Sequence, residues 1–406
     1  MAIYSIARAR KGAALGFLFV LGGLTAFDSI AIDMYLPAFN AIEHDLALAS
    51  GTMPISLSIF LIGLAIGQAI CGSVADSLGR RTPLLLGIIL FGAASCLIAL
   101  SSNITMFMIG RFFQGIGGAA GLVIPRAIVS DVYDAKRAPR VFTFLVQVQS
   151  ISPILAPILG GLMLSLLGWR SIFWILAVCA GMALAIVYPV LPETQSVKAR
   201  TRLTVVNIFK NYFKLLKNAR YVGMIFANGL IMGTLFGYIG VSAFIFMTYF
   251  NLSSSTYSII FAAFSIGMIL FGQLNMYLLS RMQLQRNLRM GFFIHLFFLC
   301  SSAGALLAGH ESLLIVCGLL FLAVSSLSFL FGGLTSDAMF SVPRSNAGSA
   351  AALLGMMQYA VGGGAGIVIG ILHDGTLLTP VLVLLACSSF AFFCWRLTTN
   401  LRSQTD

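Results

Sequence analysis

The sequence predicts an all-α integral membrane protein with 12 transmembrane helices arranged as two sets of six. Three observations carry that expectation. Of its 406 residues, 59% are hydrophobic and 9% charged, against roughly 25% charged in a soluble domain. Apolar runs of about 20 residues, the length that crosses a hydrocarbon core, recur along the whole chain. The runs are continuous rather than alternating, which excludes a strand-built barrel. The net charge of +12 does not mark a nucleic-acid partner. The basic residues lie in short loops between apolar runs, not on one face.

The spans are expected at residues 12–37, 53–76, 82–101, 104–131, 139–167, 171–191, 220–250, 256–280, 287–309, 312–341, 347–372 and 377–399. The first follows Arg8, Arg10 and Lys11, but it is too long for a signal-peptide core and further spans follow at once. All but three of the 24 Lys and Arg fall in the two ends and in alternate loops, among them Arg80, Arg81, Lys136, Arg137, Arg140 and Arg344. The opposite loops hold only Arg170, while Arg111 and Arg126 lie within the fourth span. By the positive-inside rule, both termini and the central loop are cytoplasmic. Residues 192–219 form the one sizeable polar interval. It divides the chain into a bundle over 1–191 and a second over 220–406. "GQAICGSVADSLGRR" and "GMILFGQLNMYLLSR" occupy equivalent places in the two halves, as in transporters built from parallel repeats. All seven cysteines lie in apolar segments, so neither disulfides nor a metal site is expected.

The stretch "FDSIAIDMYLPAF" places Asp28 and Asp33 in a segment otherwise fit for lipid. A charge there costs several kcal/mol. At 1.5 Å per residue, Asp33 lies about 6 Å, Arg111 about 10 Å and Asp28 about 13 Å from the outer ends of their helices. Opposite charges at similar depth are expected to pair, so Asp33 is matched with Arg111. An acid set between desolvation and a nearby Arg can take or release a proton near neutral pH. The rival reading is a permanent ion pair. Arg126 is expected to snorkel to water. Asp337 is read as a gate or cap, and His295 as a satisfied helix-facing histidine.

Four stretches carry a resemblance: "GSVADSLGRR" after span 2, "RFFQGIGG" in span 4, "SPILAPILGG" in span 5 and "IDMYLP" ending span 1. On these the chain resembles the major facilitator superfamily, and within it the Bcr/CflA (bicyclomycin-resistance type) drug:proton antiporters. Ser152 and Ala156 stand where the span 5 motif usually has glycine. The resemblance implies a bacterial inner-membrane antiporter that exports drugs or other small amphiphilic compounds by alternating access. Its alternative is an exporter of an endogenous amino acid, peptide or siderophore. It places proton coupling on the span 1 acid that matches Asp33, with Asp28 and Arg111 assisting. It implies no enzymatic activity, and no catalytic constellation argues otherwise. No cofactor is expected, since no nucleotide-binding Gly-Lys motif occurs and the proton gradient supplies the energy. The expected partners are a small-molecule substrate, protons and the bilayer, with the chain a monomer.

In the loop motif, Gly72 is expected to permit close helix approach and Gly79 a tight turn. Asp76 would face the positive end of another helix, which the resemblance places in span 11. Arg80, Arg81, Arg126 and Asp131 complete the expected gate. In span 5, Pro153 and Pro157 are expected to kink the helix, and Gly160 and Gly161 to remove bulk. The resemblance ties this motif to exporters. Candidate substrate contacts are Tyr35, Gln114, Asn228, Phe236, Tyr238, Phe244, Gln358 and Tyr359, because aromatic faces and amides suit lipophilic, often cationic, compounds.

Overall fold

The computed structural model describes residues 11–49, 51–132, 138–194, 212–213, 215–342 and 347–402, and all regular elements among them are helices. Most of the central loop lies outside these residues, as do Arg8, Arg10, Lys136, Arg137 and Arg344. Ten helices among the described residues are long and apolar enough to cross a membrane. A bent pair, Phe17–Thr25 and Phe27–Asp45, forms an eleventh if counted as one span, and Ile151–Leu167 is a shorter apolar helix.

The chain divides into two compact units. One takes in Met1–Leu48 and Ile59–Val205, the other Ala49–Ser58 and Val206–Asp406. The first contains α1 (Lys11–Thr25), α2 (Phe27–Asp33), α3 (Phe39–Asp45), most of α4 (Met53–Leu78), α5 (Arg81–Ala99), α6 (Ile104–Val132), α7 (Ala138–Leu167) and α8 (Arg170–Val190). The second contains α9 (Ala219–Ala243), continued by a π-helical stretch Phe244–Tyr249. It also holds α10 (Ser254–Leu279), α11 (Leu284–Leu307), α12 (Leu313–Ser326), α13 (Phe331–Phe340), α14 (Ala347–Ile371) and α15 (Leu378–Arg402).

The expected first span is broken. Thr25 Oγ1 donates to the Gly22 carbonyl at 2.8 Å. The Ala26 N–H is shared between the Gly22 and Gly23 carbonyls, both at 3.2 Å. A hydroxyl that bonds back to the preceding turn bends a helix, and here the two pieces meet at 41°. Asp28 thus enters the first turn of α2, the end of a helix that favours negative charge. By contrast α7 continues through both Pro153 and Pro157. Those prolines do not end the helix.

Close packing in the first unit rests on the glycines of α6. A Cβ on Gly117 would lie 2.6 Å from the Phe91 nitrogen and 2.8 Å from the Gly87 carbonyl of α5. On α4, a Cβ at Gly67 would meet the Ile116 carbonyl at 2.8 Å, and one at Gly115 of α6 would strike the Phe60 carbonyl. Small residues let membrane helices touch backbone to backbone in this way. Gly160 of α7 meets the Met34 carbonyl just beyond α2, so the span 5 motif packs on the end of span 1. Gly161 is buried beside it. Gly72 differs from expectation: the nearest described atom to its Cβ would be Val123 Cγ1 at 4.0 Å, an ordinary contact. The tight approach of α4 lies earlier, at Gly63 and Gly67.

Replacing Gly117 by alanine forces the α5 and α6 backbones apart. It should destabilise the purified protein by about 1–3 kcal/mol, the range for overpacking. Gly181→Ala, whose Cβ meets nothing within 4 Å, should leave stability equal or slightly higher. Thermal unfolding of both variants in the same detergent checks the contrast.

Candidate functional site

Three charged side chains expected at membrane depth are buried in the first unit. Asp28 is 2% exposed, Asp33 3% and Arg111 0%. They do not pair as expected. Arg111 Nη1 donates to the Ala31 carbonyl at 3.2 Å and to Gln114 Oε1 at 2.5 Å. The guanidinium carbon lies 4.2 Å from the centre of the Tyr35 ring and 4.3 Å from that of Phe60. Arg111 Nε and Nη2 have no hydrogen-bond partner among the described residues. No ion pair joins Asp33 to Arg111. The one guanidinium nitrogen that is bonded, Nη1, takes a backbone carbonyl and a neighbouring amide instead.

Gln114 completes this arrangement. Its Nε2 donates to Ser95 Oγ of α5 at 2.8 Å, so one amide holds both the guanidinium and the neighbouring helix. Tyr35 is fully buried and packs on Phe39 and Phe173, with ring centres at 5.0 and 5.8 Å. Both residues named as substrate contacts in span 1 and span 4 therefore surround Arg111 inside the bundle. Ser95, which holds Gln114, was legible only as one more serine.

At the other end of α5 lies a second polar cluster. Gly79 has φ +93°, a conformation that favours glycine, and so makes the turn that the motif suggests. Arg80 Nε donates to Asp131 Oδ2 at 3.0 Å, and the Thr194 hydroxyl donates to the same oxygen at 3.3 Å. Glu193, missed by the sequence reading, accepts the Arg80 N–H at 2.8 Å and the Arg81 N–H at 3.3 Å. Those are unsatisfied donors at a helix start, where a carboxylate is favourable. Arg81 Nη2 donates to the Tyr188 carbonyl at 2.6 Å. Arg126 is exposed. The side chain of Asp76 lies outside those described.

In the second unit four of the named residues converge. Asn228 Nδ2 donates to Thr335 Oγ1 at 3.0 Å, and Gln358 Nε2 donates to Asn228 Oδ1 at 2.7 Å. Two turns along, Phe236 and Tyr359 rings lie 5.6 Å apart. These residues line the contact of α9 with α14. Tyr238 points elsewhere: it stacks on Phe264 of α10 at 5.1 Å, and its hydroxyl has no partner among the described residues. Phe244 sits in the π-helical stretch with its ring edge against His373, 4.5 Å between centres.

His295 and Asp337 have structural partners. His295 Nδ1 donates to the Ala323 carbonyl at 2.8 Å, so its Nε2 accepts from Ser388 Oγ, also at 2.8 Å. Asp337 accepts from Arg220 Nη2 at 3.2 Å and Gln285 Nε2 at 2.8 Å, which ties α13 to the starts of α9 and α11.

Helices of this number and apolarity, folded into two units, define a polytopic membrane protein of transporter architecture. The chain belongs to the Major Facilitator Superfamily, which it matches over residues 18–367. It is 26% identical over 396 residues to a bicyclomycin resistance protein homolog of Haemophilus influenzae, with 96% of this chain and 98% of that protein covered. It is 30% identical over 341 residues to the multidrug resistance protein MdtL of Shewanella oneidensis, covering 83% and 84%. An uncharacterized MFS-type transporter, YdgK, of Bacillus subtilis is 36% identical over 249 residues, 61% of this chain and 62% of that one. Among solved structures, a D-xylose-proton symporter shares the fold at TM-score 0.73 and 16% identity, covering 94% of this chain and 96% of that chain. The chain is accordingly a multi-pass protein of the bacterial inner membrane.

The Arg111 arrangement makes a quantitative demand. A double-mutant cycle on Arg111→Met and Gln114→Leu should return a coupling of about 1.5–3 kcal/mol, as for a hydrogen bond to a charged group. The cycle on Arg111→Met and Asp33→Asn should return a smaller one. Chemical unfolding in detergent measures both.

Proposed function

We propose that this chain is a proton-coupled efflux transporter that exports drugs or other small amphiphilic compounds by alternating access. The observation that carries the reading is Asp33, a buried span 1 acid that no ion pair with Arg111 locks in its charged form. Relatives whose names describe bicyclomycin and multidrug resistance supply the substrate class.

In this reading the chain has twelve spans in two six-helix bundles, 1–191 and 220–406, joined by a cytoplasmic loop, with both termini cytoplasmic. Asp33 binds the coupling proton and Asp28 assists. Arg111 sets the electrostatic surroundings of α2 through the Ala31 carbonyl. Compound binds from the cytoplasmic side while Asp33 is charged, and protonation from outside favours release. The difference in affinity between the two states couples the two flows. Asn228, Gln358, Phe236 and Tyr359 offer amides and ring faces to the compound, with Tyr238 and Phe244 further along the same helix. Gly79, Arg80, Arg81, Asp131 and Glu193 hold the cytoplasmic ends in register as the bundles rock. The superfamily works without a bound cofactor, and the proton gradient drives this member too. The protein acts as a monomer and performs no covalent chemistry.

The test is drug susceptibility in a pump-deficient bacterium that expresses wild type, Asp33→Asn or Asp28→Asn at matched membrane levels. Wild type should raise resistance to at least one lipophilic compound severalfold, and Asp33→Asn should return it to the empty-vector level. Wild type that protects against nothing would shift the cargo to an endogenous metabolite. Full resistance in Asp33→Asn would remove Asp33 as the proton site.

A further inference from the structure

The second unit carries an apolar groove of about 740 Å³ between α14 and α15. One wall runs from Val361 to Leu372 and the other from Thr379 to Phe390. Each wall covers eleven residue steps, a rise of about 16 Å along a helix. That matches one leaflet, half of a hydrocarbon core about 30 Å thick. The rim is open to the surroundings: Leu372 is 53% and Phe390 64% exposed, both within or beside membrane-spanning helices. Part of the space exists because Gly364 lines the groove, where a Cβ would meet nothing within 4 Å.

The end of the groove at the α14–α15 turn is polar. The Thr379 hydroxyl donates to Asp374 Oδ2 at 2.7 Å, while the Thr376 N–H and hydroxyl donate to Asp374 Oδ1 at 3.0 and 2.8 Å. These bonds, that from Thr379 first, hold the Asp374 carboxyl down at about 2. It is therefore charged at every physiological pH, and it stands exposed at the mouth.

We infer that this groove holds one acyl chain of a phospholipid from the adjoining leaflet, with an ammonium-bearing headgroup at Asp374. On the proposed orientation that leaflet is the outer one. A chain running along the bilayer normal fits a leaflet-deep apolar channel. A negative mouth selects phosphatidylethanolamine over phosphatidylglycerol. Its lining includes none of the residues assigned above to cargo and proton.

The experiment uses the full-length protein, purified and delipidated in detergent. Native mass spectrometry should show one retained palmitoyl-oleoyl phosphatidylethanolamine per chain, and less phosphatidylglycerol at equal concentration. Gly364→Leu, which fills the groove, should lose that adduct while unfolding at the wild-type temperature. Val368→Phe, on the same wall, is the second variant should Gly364→Leu fold poorly. In a variant that keeps only Cys387, a groove residue, added phosphatidylethanolamine should slow maleimide labelling severalfold and saturably. No adduct in wild type, an unchanged adduct in the filled variants, or labelling indifferent to lipid would overturn the inference. Equal retention of phosphatidylglycerol would overturn the headgroup assignment. Protection of Cys387 by an exported compound, with none by phospholipid, would make the groove a cargo route and overturn it as well.

Discussion

A guanidinium inside a membrane must find its acceptors within the protein, because no lipid tail offers one. Arg111 meets that constraint at Nη1 alone, with the Ala31 carbonyl and Gln114, and Gln114 in turn is fixed by Ser95. Three helices, α2, α5 and α6, are tied together by this one side chain. The ties need the helices very close, which is what the glycines of α6 supply against α4 and α5. The bonds of Arg111 Nη1 and small-residue packing thus act together on the first unit.

The same arrangement bears on the proposed proton chemistry. Arg111 is anchored to the backbone two residues before Asp33, so α2 is held in place without consuming the carboxylate. An ion pair would have opposed a change in its protonation, since breaking one in a buried site is strongly unfavourable. The break at Ala26 adds a second feature, placing Asp28 at a helix start rather than mid-helix. Both acids therefore sit in distinct settings on a helix only seven residues long.

Hydropathy made the helical class legible, because span length is set by the bilayer itself. The Gly79 turn and the packing of Gly160 were legible from residue type. What failed was direction around the helix axis. Depth along a span, read as a rise per residue, does not fix which neighbour Arg111 faces. Its acceptor is a backbone carbonyl, which every residue carries and no motif announces. Glu193 escaped for a related reason: it lies just past a span, and only the fold brings it to the start of α5. The 41° bend of the first span, at Thr25 and the glycines before it, has no proline to announce it.

The central claim is that Asp33 changes protonation when cargo binds. The direct measurement is proton release from the purified protein in weakly buffered detergent, followed with a pH-sensitive dye as an exported compound is added. Wild type should release protons in proportion to binding, and Asp33→Asn should bind the compound without releasing any. Equal release from Asp33→Asn, or binding to wild type with no release at all, would contradict the account.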